Sequence, residues 1–128
     1  MNIDGIFEHW IVSSDRDYET MINLYKTNDY HWSLFMGHLV IEKLLKAAIV
    51  KTTSAHAPLL HDLRRLSKLT GITFDNEQNQ WLDTITSFNI NARYDSYKQE
   101  FYKKCTLEYS NMWIGNIKKL QQWIKTKL

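Results

Sequence analysis

The chain has very few residues that break regular secondary structure. Four Gly and one Pro among 128 residues leave little material for tight turns, which disfavours a sandwich or barrel of short strands. Long stretches instead place apolar residues every three to four positions, as an amphipathic helix does. The sequence therefore predicts an all-α fold, a single domain over residues 1–128 built as an antiparallel, up-and-down bundle of about five helices.

The helical periodicity divides the chain into segments. We predict helices at about residues 6–27, 30–52 and 58–70, a fourth from about 75, and a last one from 96 almost to the end. The second segment is apolar over more than half of its circumference, so it is expected to lie at the centre of the bundle. Its polar residues form one narrow line: His31, His38, Glu42 and Lys46.

The third and fourth segments carry further signals. Pro58 suits the first turn of a helix, in which Leu59, Leu63 and Leu66 are expected to face inward. The opposite face then holds four nitrogen-bearing side chains at helical spacing: His61, Arg64, Arg65 and Lys68. This face has two interpretations, a solvated helix surface or a phosphate-binding surface on which a histidine changes charge near neutral pH. The fourth helix is predicted to begin at a capping box formed by Asp75 and Gln78.

Charge and cysteine content limit the classes of function. The net charge is only +2, but residues 98–128 hold seven Lys against Glu100 and Glu108, a basic segment that either attracts phosphates or keeps a terminal helix solvated. A single Cys, Cys105, excludes an internal disulfide, and its place in the apolar stripe of the last helix predicts an inert thiol. Neither a signal peptide nor a membrane-spanning segment is expected, so the predicted location is the cytoplasm.

The sequence offers few residues for metal binding or nucleophilic catalysis. His38 and Glu42 stand four positions apart, with His31 further back. A metal site needs three or four ligands with supporting contacts, so a hydrogen-bonded polar contact between helices is the expected role. A nucleophile elbow and a phosphate-cradling Gly-rich loop are missing. We therefore predict no metal and no cofactor.

Three segments, in this order, resemble the HEPN domain family. FMGHLVIEKLLKAAIV (35–50) is similar to the second-helix motif of that family, an aromatic residue followed by a Glu-Lys-x-x-Lys-Ala run. APLLHDLRRL (57–66) resembles its Pro-x-x-His-x-Leu segment, and ARYD (92–95) resembles its Ala-Arg-Tyr-Pro motif, with Asp95 in place of the Pro. Together with the predicted helices, the ordered set extends the resemblance over nearly the whole chain.

The resemblance implies site residues and partners. It points to Glu42 and to Lys43, Lys46, His61, Arg93 and Tyr94. It also implies a homodimer that binds nucleotides or RNA, with a small nucleotidyltransferase as the partner in a toxin–antitoxin pair. With the cations of the third segment added, the expected ligand-binding residues are Lys43, Lys46, His61, Arg64, Arg65, Lys68, Arg93 and Tyr94.

Catalysis is not expected from the family pattern. The metal-independent ribonucleases of the family carry an Arg followed four to six residues later by a His. None of the four arginines has a His at that distance downstream: Arg16, Arg64, Arg65 and Arg93. A further hypothesis is a ribonuclease in which His61 and Arg93 meet in space, with a base that removes the 2′-hydroxyl proton and a guanidinium that stabilises the developing charge.

Arg93 and the aromatic content leave alternatives open. Arg93 has a structural interpretation, as the partner of Glu42 near a helix junction, and a functional one, as a phosphate ligand beside Tyr94 in a dimer cleft. Five Trp, seven Tyr and five Phe exceed what one small core readily buries, which predicts a homodimer. A non-catalytic protein-interaction module is the main alternative to a HEPN-like protein that binds RNA or nucleotides.

Overall fold

The computed structural model describes residues 2–128, and this part of the chain is helical without a strand. Its elements are α1 (Ile3–Lys26), α2 (Tyr30–Thr53), α3 (Leu63–Ser67), α4 (Asn76–Arg93), α5 (Asp95–Lys104) and α6 (Leu107–Thr126). The all-α prediction is therefore confirmed. Within the same residues, no helix combines the length and the apolar character needed to span a membrane.

Helices α1 and α2 form an antiparallel hairpin. Ser14 Oγ donates to the Val40 carbonyl at 2.9 Å, and Ser33 Oγ donates to the Met21 carbonyl at 2.8 Å. These two contacts follow opposite orders along the two helices, so the chain reverses direction at the short link between them. Because all four residues are buried, the bonds satisfy serine hydroxyls that would otherwise be costly in the core.

Helices α4 and α6 also run antiparallel. Phe74, just before α4, packs on Trp123 near the end of α6 at a centroid distance of 5.1 Å, whereas Phe88 packs on Trp113 at 5.6 Å. The long helices thus alternate up and down, and α2 lies among them. The core side chains of α2 are fully buried, among them Leu34, Val40, Ile41, Leu44 and Leu45, which is the central position that its apolar pattern predicts.

The start of α4 agrees with the sequence in detail. Asp75 Oδ1 accepts a hydrogen bond from the Gln78 backbone N–H at 2.7 Å, and Gln78 Oε1 accepts one from the Asp75 N–H at 2.9 Å. This reciprocal pair is the predicted capping box, and it satisfies two amides at the helix start.

The third helix is much shorter than predicted. Only Leu63–Ser67 is helical, because Asp62 acts as the N-cap and accepts hydrogen bonds from the backbone N–H groups of Arg64 and Arg65. Residues 54–62 form a loop, in which Leu59 is 95% exposed instead of facing inward. His61 therefore lies in this loop and does not share a helix face with the cations that follow it.

The predicted last helix is two helices. The chain leaves the helix after Lys104 and starts again at Leu107, where Thr106 Oγ1 accepts a hydrogen bond from the Tyr109 N–H at 3.2 Å. Cys105 lies at the break and is buried, as its place in the apolar stripe suggested. Tyr102, which lies three residues before Cys105 on the same apolar stripe of the sequence, is exposed to solvent.

Two helical glycines provide a test of the packing. A Cβ on Gly37 would collide with Ile117 Cδ1 and lie 3.2 Å from Met21 Sδ, whereas a Cβ on Gly115 would meet nothing within 4 Å. We expect Gly37→Ala to lower the free energy of unfolding by about 1–3 kcal/mol through overpacking. Gly115→Ala is expected to raise it by about 0.5–1 kcal/mol through the higher helix propensity of Ala. Urea denaturation measures both, and equal effects of the two variants would contradict the packing of α2 on α6.

Candidate functional site

A buried carboxylate lies at the centre of α2. Glu42 is only 5% exposed, and both of its oxygens are engaged. Oε1 accepts a hydrogen bond from His61 Nδ1 at 2.8 Å, and Oε2 accepts one from Lys46 Nζ at 3.3 Å. His38 Nε2 lies 3.8 Å from Oε1. We call these four residues, His38, Glu42, Lys46 and His61, the Glu42 cluster.

His38 supports the cluster from inside the core. Its ring is fully buried, and Nε2 donates to the His61 carbonyl at 2.9 Å. A carbonyl only accepts, so Nε2 carries the proton. Burial lowers the pKa of His38, against the opposing effects of this hydrogen bond and of Glu42, while His61 and Arg93 lower the pKa further. His38 is therefore neutral at pH 7, a fixed donor that holds the His61 backbone.

His61 is held at two points and still faces solvent. His38 binds its carbonyl and Glu42 binds its Nδ1, yet the His61 side chain is 65% exposed. With Nδ1–H donated to a carboxylate, the neutral ring presents an unprotonated Nε2. A carboxylate that orients a histidine in this way prepares it to accept a proton or to bind an anion when protonated.

Two of the expected ligand residues have structural roles instead. Lys46 is buried, bonded to Glu42, and its Nζ lies 5.5 Å from the centroid of the Trp10 ring. Lys43 Nζ contacts Asp17 Oδ2 at 2.6 Å and donates to Ser13 Oγ at 2.7 Å, which ties α2 to α1. Both ammonium groups are satisfied within the fold, so the structure leaves neither free for a ligand.

The predicted pair of Glu42 and Arg93 is wrong. Both Glu42 oxygens are taken by Lys46 and His61, and no carboxylate in residues 2–128 forms an ion pair with Arg93. The Arg93 Nε instead donates to the Asn89 carbonyl of its own helix at 3.2 Å.

The Arg93 guanidinium lies between aromatic rings beside the cluster. Its Cζ is 5.5 Å from the centroid of Tyr94 and 6.0 Å from that of Phe35. Phe35 is one helical turn from His38 on α2, and the charge of Arg93 lowers the pKa of His38. The structure thus places Arg93 and Tyr94 along the same edge of α2 as His61. Arg93 is exposed to solvent, and a guanidinium that stacks on aromatic rings keeps its donor capacity at the ring edge.

The cations of the third segment do not join this site as a set. Arg64 Nη1 pairs with Asp83 Oδ2 at 2.8 Å on the surface. Arg65 and Lys68 are exposed, and neither has an ion pair among the described residues. Because His61 precedes the helix, the predicted row of four cations is split, and only His61 belongs to the Glu42 cluster.

The described residues give no support to metal or thiol chemistry. No group of three or more His, Cys, Asp or Glu side chains in residues 2–128 is arranged to hold a metal ion. Burial raises the pKa of the Cys105 thiol to about 12, so the reactive thiolate is scarce at neutral pH.

One role in the site was not assigned from the sequence. His38 was recognised as part of a polar line, but not as the residue that holds the His61 backbone. The i, i+4 spacing of His38 and Glu42 indicates that they share one face of α2. The loop of residues 54–62 also returns to this face. This return depends on tertiary packing, for which the sequence has no local signal.

The comparison with known families decides the assignment. A family model of the HEPN domain matches residues 7–127. The chain belongs to the HEPN domain family. Comparisons with curated proteins and with solved structures gave no significant match. Membership of the HEPN family supports a nucleotide- or RNA-associated helical protein.

The contacts of Glu42 and Arg93 predict different costs of substitution. Glu42→Ala strands the buried Lys46 ammonium, so we expect it to lower the free energy of unfolding by about 3–5 kcal/mol. Arg93→Ala removes no ion pair, and we expect a loss of only about 0.5–1.5 kcal/mol from its hydrogen bond. Chemical denaturation of both variants measures these free energies of unfolding. If Arg93→Ala lowered the free energy of unfolding as much as Glu42→Ala does, Arg93 would have to be part of a buried ion pair after all.

Proposed function

We propose that this HEPN domain binds RNA or a nucleotide through His61, Arg93 and Tyr94. The observation that carries the proposal is the arrangement of Arg93 and His61 on one edge of α2. The first is a guanidinium without a carboxylate partner among the described residues, and the second is an exposed histidine aligned by Glu42. Such groups bind phosphate oxygens strongly because their hydrogen bonds are charge-assisted.

Tyr94 adds an aromatic surface to this site. Its side chain is exposed next to the guanidinium, and exposed aromatic rings beside cations stack on nucleobases. The combination favours a ligand with both a phosphate and a base. A purely protein-binding module, the alternative drawn from the sequence, does not require an unpaired guanidinium at this position.

The proposed action is binding without turnover, with a ribonuclease as the second candidate. The family pattern of Arg and His is missing from the sequence, which favours binding. One observation favours the ribonuclease: Glu42 orients His61 so that the neutral ring offers Nε2 as a base. In that reaction His61 would take the 2′-hydroxyl proton, and Arg93 would stabilise the phosphorane.

The proposal includes a homodimer and a nucleotidyltransferase partner. Large apolar side chains are exposed next to Arg93, at the junction of α4 and α5: Ile90, Tyr94 and Tyr97. Apolar groups grouped on a surface in this way mark contacts between proteins, and a two-fold contact here would bring two Arg93 sites together. Light scattering at micromolar concentration measures the assembly, and a monomer alone would remove the dimer from the proposal.

A binding experiment with one matched control tests the proposed function. We expect labelled single-stranded RNA to bind the wild type, with an affinity that falls as salt rises because phosphate contacts release counterions. Arg93→Gln should weaken binding about tenfold or more, the value of a hydrogen bond to a charged group. Arg16→Gln, an exposed arginine on α1, should leave the affinity unchanged. Fluorescence anisotropy gives the three dissociation constants.

The same samples separate binding from cleavage. Incubation in EDTA followed by a denaturing gel should show intact RNA with the wild type. Cleavage that disappears in His61→Ala would establish the ribonuclease instead. Equal binding by wild type and Arg93→Gln would contradict the assignment of Arg93.

A further inference from the structure

A recess lies between the start of α2 and the outer face of α5, apart from the site at Arg93. It encloses about 420 Å³ and is lined by His31, Lys98, Gln99, Tyr102 and Lys103. A smaller recess of about 190 Å³ adjoins it and shares His31 and Tyr102. We call the two together the α2–α5 cleft. Its larger part has the volume of a site for a small organic group.

The cleft combines aromatic rings with cations. Tyr102 is 65% exposed and meets the His31 ring edge-on at a centroid distance of 5.2 Å. Lys98 Nζ lies 5.0 Å from the centroid of Trp32. Burial and the charge of Lys98 lower the pKa of His31, against the opposing charge of Asp29. At neutral pH the cleft therefore presents the neutral imidazole of His31, the ring of Tyr102 and two lysines.

A row of rings connects this cleft to the site at Arg93. Trp32 packs edge-to-face on Phe35 at 5.8 Å, and Phe35 in turn lies under the Arg93 guanidinium at 6.0 Å. On α2 the rings lie between His31 and Phe35, about 6 Å of helix at 1.5 Å of rise per residue. Tyr102 packs on His31 at one end and Arg93 lies over Phe35 at the other, so the row is longer than one nucleotide step of a strand, about 3.4 Å.

We propose that the α2–α5 cleft binds the bases of a short single-stranded polynucleotide whose phosphate lies at His61 and Arg93. The inference rests on the proposed function, since it extends the same bound chain away from that site. Tyr102 supplies the stacking surface, and Lys98 and Lys103 contact the backbone between the bases. A mononucleotide with its phosphate at Arg93 places its single base at Tyr94 and has no second base for Tyr102, and the paired bases of a duplex do not offer their faces to Tyr102.

A length series of ligands tests the proposal. The probes are fluorescent AMP, a hexanucleotide of RNA, the same hexanucleotide as DNA, and the RNA hexanucleotide annealed to its complement. For the wild type we expect both single strands to bind more tightly than AMP and than the duplex. Tyr102→Leu should weaken hexanucleotide binding about fivefold to a hundredfold, the range seen for the loss of one base–aromatic stack, and should leave AMP binding unchanged.

Matched variants on the same protein complete the design. Tyr18→Leu removes a half-buried tyrosine of α1 that lines a different recess, and it should bind as the wild type does. Lys98→Gln should weaken the hexanucleotide, whereas Lys119→Gln on α6 should not. A difference between the RNA and DNA arms tells which polynucleotide the cleft prefers.

The outcomes distinguish this inference from the proposed function. If the wild type binds neither AMP nor any hexanucleotide, the proposed function and the inference both fail. If it binds AMP and hexanucleotide with the losses expected for Arg93→Gln, but Tyr102→Leu and Tyr18→Leu behave alike, the inference alone is overturned. Tighter binding of the duplex than of the single strands would also overturn it.

Discussion

The buried carboxylate of Glu42 is the constraint on which the rest of the structure depends. An ion taken out of water costs several kcal/mol unless its oxygens are satisfied. Here one oxygen is satisfied by Lys46 on the same helix and the other by His61 from the following loop. Because the second partner arrives through tertiary structure, the loop of residues 54–62 must return to α2. His38 completes the arrangement by binding the His61 carbonyl.

The same contacts that stabilise the fold also build the candidate site. His61 is anchored at its backbone and at Nδ1, which fixes the direction of Nε2 at the surface. Arg93 ends α4 and is held by its own helix and by aromatic rings. Its guanidinium is therefore positioned without being neutralised by a carboxylate. If this edge binds a phosphate as we propose, its side chains are already positioned, and binding requires little ordering of them.

Local signals in the sequence predicted much of the fold and part of the site. The breadth of the apolar face placed α2 at the centre, and Asp75 with Gln78 located the start of α4, because periodicity and capping are local properties. The start of α3 was predicted too early. Pro58 suits a first helical turn, but Asp62 caps the helix with its side chain, so the helix begins after Asp62. The break at Cys105 has no Gly or Pro to announce it, and Thr106 as a cap is visible only once the helix is known to end.

The partners of the charged groups depended on packing. The sequence alone offered several cations as possible partners of Glu42. The structure pairs it with Lys46 and His61, and not with Arg93, because of the path of the loop of residues 54–62, which hydrophobic periodicity does not predict. The resemblance of three short segments to the HEPN family named His61, Arg93 and Tyr94 as site residues, and their role as ligands stays a prediction. It also named Lys43 and Lys46, which the fold uses for internal ion pairs.

The protonation states of His38 and His61 test the central claim most directly. Nitrogen-15 NMR of the imidazole rings, recorded from pH 8 to pH 5, distinguishes the two neutral tautomers and the charged form. The account predicts that at pH 8 His61 carries its proton on Nδ1 and His38 carries its proton on Nε2. His38 is also expected to be mostly neutral at pH 6.5, which is the ordinary pKa of a histidine. A His61 ring protonated on Nε2 at pH 8, or a His38 that titrates at 6.5, would contradict the Glu42 cluster as the basis of fold and site.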